Sequence, residues 1–251
     1  MNLAAALMVL CAGLAVGATS IGGILVVPTL TSVAGIPVHE AIAAANFGFL
    51  FTGAAAVWLQ RSSAPDAQSH SISRPGAFYL AAFTGAALGA FTLGWLPAAM
   101  VRALVAAVAI LSGSVALVGM RPAAATTLAP RMVTLIGLGV GCASAWSGTG
   151  GPVLLLPVLI LARMPLALAI SLAQGVQLPI AGAATLVNVA AGRLDPQFGL
   201  MLGLLLVVGW AVGRRFARNL SMRVMQRVVA VSLISVGLGF GWQTFSAPQA
   251  Y

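Results

Sequence analysis

The sequence predicts an all-α polytopic membrane protein, built as two inverted repeats of about five apolar segments each, with short Gly-interrupted segments opening each half. Three observations carry this. Of 251 residues, 61% are hydrophobic and 6% charged, whereas soluble domains carry about 25% charged residues. The charges are separated by long runs free of Arg, Asp and Glu: 41–60, 75–101, 103–120, 132–162, 164–192, 197–213 and 228–251. A spanning helix needs about 20 apolar residues, so several runs hold one helix and the longest hold more. Third, the chain repeats itself, as detailed below. The alternating pattern of a β-barrel is absent, and helices satisfy their own backbone in hydrocarbon.

The 12 basic residues are all arginine and only 3 residues are acidic. So few charges cannot cover a water-soluble surface. A soluble enzyme, a disordered chain and a nucleic-acid-binding domain are thereby excluded. The pI of about 11.7 would otherwise suggest nucleic acid, but the arginines are spread between apolar runs.

The segments follow in order. The first, 2–18, lacks the positively charged start of a signal peptide and has a mid-chain counterpart, so it is expected to belong to the mature protein. The second, 22–35, contains Pro28; at about 1.5 Å per residue it reaches only about 21 Å of a ~30 Å core. The third, 38–60, opens after Pro37 with His39 and Glu40. A carboxylate there either stabilises a helix start or couples protons. A polar loop, Arg61–Arg74, carries a solvated Asp66. The fourth segment, 75–95, contains Gly85 and Gly89, read as close-packing residues. The fifth is 98–119, followed by a linker, 120–131, with two Arg and two Pro. The second half gives 131–146, 150–162, 165–188, 196–213 and 222–243. Asp195-Pro196 reads as a helix start or a local ion pair with Arg193, and Asn188 as a cap or interface residue. Cys11 and Cys142 read as buried small hydrophobes. No cofactor and no resident metal is expected.

Shifting the chain by 128 aligns Gly13–Asn46 with Gly141–Gln174. Nine of those 34 positions are identical, including Gly22/Gly150, Gly23/Gly151, Pro37/Pro165 and Ile42/Ile170. A shift of 124 pairs Gly85 and Gly89 with Gly209 and Gly213. The first repeat is then 1–119 and the second 132–251. If the first two segments of each half form a hairpin, each half makes an odd number of crossings and the halves are inverted. With the linker cytoplasmic, ten arginines then face inside and only Arg102 and Arg193 outside. If each short pair instead makes one broken crossing, the best split is seven against five. The arginines favour the inverted arrangement, with both termini outside, and the Arg214–Arg227 cluster reads as an anchor beside anionic lipid.

The glycine breaks are the candidate binding site. They read Gly17-Ala18-Thr19-Ser20-Ile21-Gly22-Gly23 and Trp146-Ser147-Gly148-Thr149-Gly150-Gly151-Pro152. Short, Gly-interrupted segments at matching places in two halves point to a transporter's binding site. The helix that follows supplies free N–H groups and a positive dipole end, glycine admits a ligand to the backbone, and Ser or Thr adds a hydroxyl; together these suit an anion. The competing reading is close helix packing. Candidate substrate-binding residues are Thr19, Ser20, Gly22, Gly23, Ser147, Thr149, Gly150 and Gly151. Asn46 and Gln174 stand at matching places in the third segments, with Gln177 on the same face as Gln174. These amides read equally as interhelical hydrogen bonds or as substrate contacts.

The pattern Ser20-Ile-Gly-Gly-Ile-Leu-Val-Val-Pro28 with Pro37 and Ala41–Asn46, and its counterpart Ser147-Gly-Thr-Gly-Gly-Pro-Val-Leu-Leu-Leu-Pro157 with Pro165 and Gln174, resembles the sulfite exporter TauE/SafE family of membrane transporters. The likeness covers essentially the whole chain. The first break departs from it, with Ile21 and Ile24 flanking the Gly pair. The resemblance implies transport of sulfite, sulfonates or related sulfur-containing anions across the inner membrane. The expected partners are this small anion and the lipid bilayer; nucleic acid is not one, and a homodimer is compatible with the sequence. No Walker A motif is present, and two His with three acids do not make a catalytic constellation. Not an enzyme, the chain reads as a secondary transporter working by alternating access, with a passive anion channel as the alternative.

Overall fold

The computed structural model describes residues 2–20, 22–61, 75–118, 129–162, 164, 166–217 and 222–246. Among them are ten α-helices and no strand. In the first half, α1 is Leu3–Thr19; a 3-10 turn, Gly22–Leu25, leads into α2, Val26–Ser32; α3 is Val38–Arg61; α4 is Pro75–Thr92, continued by a 3-10 turn, Leu93–Trp95; and α5 is Ala98–Val118. The second half contains α6 (Pro130–Ser147), α7 (Pro152–Leu161), α8 (Leu166–Ala190), α9 (Pro196–Ala217) and α10 (Met222–Ser246). Each apolar segment read from the sequence is a helix. Asp66, Arg163, Pro165, Arg218, the whole 62–74 loop and most of the 120–131 linker lie outside the described residues.

The helix ends have local causes. Asn2 caps α1, its side chain accepting from Ala5 N at 2.9 Å. Asp195 caps α9, accepting from Gln197 N at 2.9 Å and Phe198 N at 3.3 Å, so the helix-start reading holds. The second segment ends at Ser32, short of the expected 35, because the chain turns through Gly35 at φ 70° before Pro37. Conversely, α9 runs past 213 to Ala217, carrying Arg214 and Arg215 in its last turn. Arg214 there lies 5.6 Å from the Trp210 ring centroid, a cation–π contact at a helix C-terminus.

Among the described residues, five helices are long and apolar enough to cross a membrane: Val38–Leu59, Pro75–Trp95, Ala98–Val115, Leu168–Ala190 and Pro196–Ala217. Large apolar side chains such as Leu80, Leu88, Leu135 and Leu204 are exposed on the outer face, as a lipid-facing surface requires. By contrast α1 has 17 residues, about 25 Å of helix. Asn2 Nδ2 donates to the Val33 carbonyl at 3.1 Å, pinning the end of α2 beside the start of α1. This segment is therefore a hairpin that turns back on itself.

Packing between the halves is reciprocal. The first helix of each half packs along the fourth helix of the other: α1 on α9, and α6 on α4. Likewise α3 packs on α9 and α8 on α4, while α3 meets α8 and α5 meets α10. Glycines allow the closest approaches. A Cβ on Gly89 would lie 2.5 Å from Cys142 O, and one on Gly209 would lie 2.5 Å from Leu10 O. Gly85 is equally tight against Leu138 O, and Gly213 against Leu14 O. The close-packing reading of these four glycines holds. Both cysteines are free thiols; Cys142 is partly buried, but Cys11 is exposed. That corrects the expectation that both are buried, since Cys11 sits on the face of α1 turned away from α9.

Candidate functional site

Both breaks begin with a helix that ends in a left-handed residue. Ser20 has φ 64° and its N–H donates to Val16 O; Gly148 has φ 62° and its N–H donates to Ser144 O. These residues are equivalent under the 128-residue shift. For a serine this conformation costs about 1–3 kcal/mol, so the surroundings hold it there. Beyond this cap the breaks differ. Gly22 and Gly23 enter a 3-10 turn, whereas Gly150 and Gly151 keep φ of 74° and 108° until α7 starts at Pro152.

The two breaks meet. A Cβ added to Gly23 would lie 3.0 Å from the Thr149 carbonyl oxygen and 3.0 Å from Phe49 Cζ. One added to Gly150 would lie 2.9 Å from Cγ and Cδ2 of the same ring. Phe49, 1% exposed, thus stands between them. A Cβ on Gly151 would reach Ile180 Cδ1 at 2.9 Å on α8. Gly22 instead packs against Ala15 of its own hairpin, and so is not brought to the shared centre.

Each amide reaches across to the other half. Gln174 Nε2 donates to Ser20 Oγ at 2.8 Å. Gln177 Nε2 donates to Thr52 Oγ1 at 2.6 Å and to Phe49 O at 3.3 Å. Asn46 Nδ2 donates to Ala145 O at 3.5 Å, and Asn46 Oδ1, fully buried, has no partner. The interhelical reading of the glutamines therefore holds for these donors. Thr19 Oγ1 donates back to Ala15 O at 2.9 Å. Ser147 Oγ donates to Ala143 O at 2.8 Å, and Thr149 Oγ1 lies 3.1 Å from both Ser147 Oγ and Ser144 Oγ.

Three residues escaped the sequence reading. Phe49 carried a signal, being the 128-residue equivalent of Gln177, but an aromatic in an apolar segment looks like packing. Ser144 lies one turn before Gly148 on α6, and Thr52 one turn after Phe49 on α3. Glu40 is exposed in the first turn of α3, which suits helix-dipole stabilisation. Asn188 Oδ1 accepts from Arg193 Nη1 at 3.3 Å, and the same guanidinium donates to Ala90 O at 2.7 Å. Asn188 is therefore an interface residue joining the α8–α9 turn to α4.

An all-helical bundle with an apolar exterior, spanning helices and an unwound, buried centre defines an integral membrane protein. The family model for the sulfite exporter TauE/SafE family matches residues 66–240. The chain belongs to that family and is a membrane transport protein. The matched residues include the second break, while the first hairpin and α3 precede them. No curated protein and no solved structure gives a significant match.

Proposed function

We propose that the chain is a secondary transporter of a small sulfur-containing anion, such as sulfite or a sulfonate, and that it works across the inner membrane by alternating access. The observation that carries this reading is the convergence of Gly23, Thr149 and Gly150 around Phe49. At such a centre the N–H groups opening the 3-10 turn, and that of Val153 after Pro152 in α7, have no intrahelical acceptor. They and the dipole ends attract an anion by about 0.3–1 kcal/mol each, without Arg or Lys in either break. Modest affinity suits a carrier that must release its cargo. Ser20, Thr19, Gly151, Ser147, Thr149, Gln174 and Gln177 complete the proposed site; Gly22, packed on Ala15, lies outside it. The glutamines and hydroxyls must exchange their present partners for substrate. Asn46, with its spare acceptor, differs from these donors.

The reciprocal packing of α1 on α9 and α6 on α4 supports two inverted repeats, 1–119 and 132–251, joined by 120–131. So does the Asn2–Val33 hairpin. Burial of Asn46, Ser147, Thr149 and Gln177 to 3% exposure or less supports an occluded carrier rather than an open channel. Proteoliposomes containing the full chain test this. Expected is saturable sulfite uptake that accelerates when sulfite is loaded on the opposite side. Flux rising linearly, without that acceleration, would establish the passive channel. Absence of flux for sulfite, thiosulfate and sulfonates alike would overturn the transporter reading.

A further inference from the structure

The last turn of a helix presents carbonyl oxygens without intrahelical donors and the negative end of the dipole. At the end of α6, the N–H groups of Gly148 and Thr149 both turn back to Ser144 O. The carbonyls of Ala145, Trp146 and Ser147 are left outside the helical ladder. Beside them three buried hydroxyls form a cluster. Thr149 Oγ1 is 3.1 Å from Ser144 Oγ and 3.1 Å from Ser147 Oγ, and the Ser147 proton is directed to Ala143 O. Asn46, from α3, lies against this helix end. Its contact to Ala145 O is 3.5 Å, longer than the roughly 2.7–3.2 Å of an ordinary N–H···O bond. Its Oδ1 is buried with no donor, an arrangement proteins avoid. Turning the amide over would set two acceptors, Oδ1 and Ala145 O, side by side. A cation satisfies such a pair, whereas a further carbonyl or hydroxyl acceptor does not.

We propose that this cluster is a sodium-ion site: Asn46 Oδ1, the α6 terminal carbonyls and the hydroxyls of Ser144, Ser147 and Thr149 bind Na+, which travels with the anion. The proposal rests on the transporter reading and names its coupling ion. The ligands are neutral oxygens, and no group of His, Cys, Asp or Glu able to hold a metal occurs among the described residues. A divalent ion would call for carboxylates; a monovalent one does not. Hydroxyl oxygens 3.1 Å apart crowd around a small ion, whereas K+ needs a wider cage. Carbonyls at a broken helix's C-terminal end are a general way to hold Na+ in a transporter. The site belongs to one half only. Ser144 and Thr149 are replaced by Val16 and Ile21 in the first repeat, and Gln174, at the place of Asn46, is bonded to Ser20. Cation at the end of α6 and anion at the start of α7 would share one dry centre and cancel each other's charge.

The test uses the full chain in proteoliposomes and in detergent. Initial sulfite uptake is measured under inward gradients of Na+, K+, choline and protons. Na+ should raise the rate about tenfold, within the roughly 5–150-fold range of coupled sites. By reciprocity, sulfite should sharpen the Na+-dependent rise in melting temperature. Thr149→Val and Asn46→Leu should abolish both Na+ effects, and Thr149→Ser should retain them; the Val/Ser pair at 149 guards against misfolding at 46. Equal rates and melting temperatures in Na+, K+ and choline would overturn the site, as would full Na+ dependence in Thr149→Val. If no anion moves under any gradient, yet Na+ raises the melting temperature and Thr149→Val removes that rise, the site stands and the transporter reading falls.

Discussion

At the scale of residues, Phe49 and Gly23 decide whether the two breaks can meet. The Phe49 ring is 1% exposed, and truncating such a side chain costs about 3–5 kcal/mol. Phe49→Ala should therefore lower the melting temperature and leave a gap between the breaks. Sulfite flux in that variant is expected to lose its saturation; unchanged saturable transport would show that the ring is only packing. Gly23 lies in a 3-10 turn, so a side chain there is opposed by space alone: its Cβ would sit 3.0 Å from Phe49 Cζ and Thr149 O. Gly23→Leu should abolish flux while membrane insertion persists. Gly182→Leu, whose Cβ would meet only Leu50 Cδ2 at 3.8 Å, should transport normally. Normal transport by Gly23→Leu would move the site elsewhere. The Gly pairs were legible in the sequence because glycine is conspicuous at a break. The orphan Asn46 Oδ1 and the ring of Phe49 were not, since burial and missing partners are properties of three-dimensional packing.

Among the elements, every segment could be read, because an apolar run bounded by Arg, Pro or Gly is a strong signal. Which helices pack together could not. In lipid the outer face of a helix is as apolar as its inner face, so periodicity does not mark the buried side. Leu138 of α6 is exposed while Gly137 beside it packs on Phe78; hydropathy alone does not separate them. Small residues mark the crossing instead. Gly85→Ala would drive a methyl into the Leu138 carbonyl, and such overpacking costs about 1–3 kcal/mol. Gly139, also on α6, has nothing within 4 Å of its would-be Cβ; replacement by Ala should stabilise by up to about 1 kcal/mol. Denaturation of the two variants in mixed micelles checks the contrast. Equal stabilities would mean that α4 and α6 do not pack as closely as described.

For the whole molecule, the decisive quantity is the number of crossings in each half. Three helices follow each hairpin, α3–α5 in the first half and α8–α10 in the second. A hairpin that returns to its starting side adds no net crossing. The contact of Asn2 with Val33 at 3.1 Å is what such a return demands; if the three helices that follow all cross, the linker lies on the face opposite the amino terminus. If the second half repeats the pattern, the carboxyl terminus returns to the first face. The arginines agree in sign: ten face the cytoplasm in this arrangement, whereas one broken crossing per hairpin reduces the best split to seven against five. Reporter fusions after Arg121 and at Tyr251 should accordingly report opposite sides, with Arg121 cytoplasmic and Tyr251 outside. Labelling of cysteines introduced at Asn2, in a Cys11→Ser, Cys142→Ala background, should match Tyr251. Arg121 on the same side as both Asn2 and Tyr251 would make the halves parallel, since one broken crossing per hairpin gives each half four crossings. Two parallel halves would no longer present α1 and α6 to the centre from opposite sides, and alternating access around Phe49 would lose its structural basis.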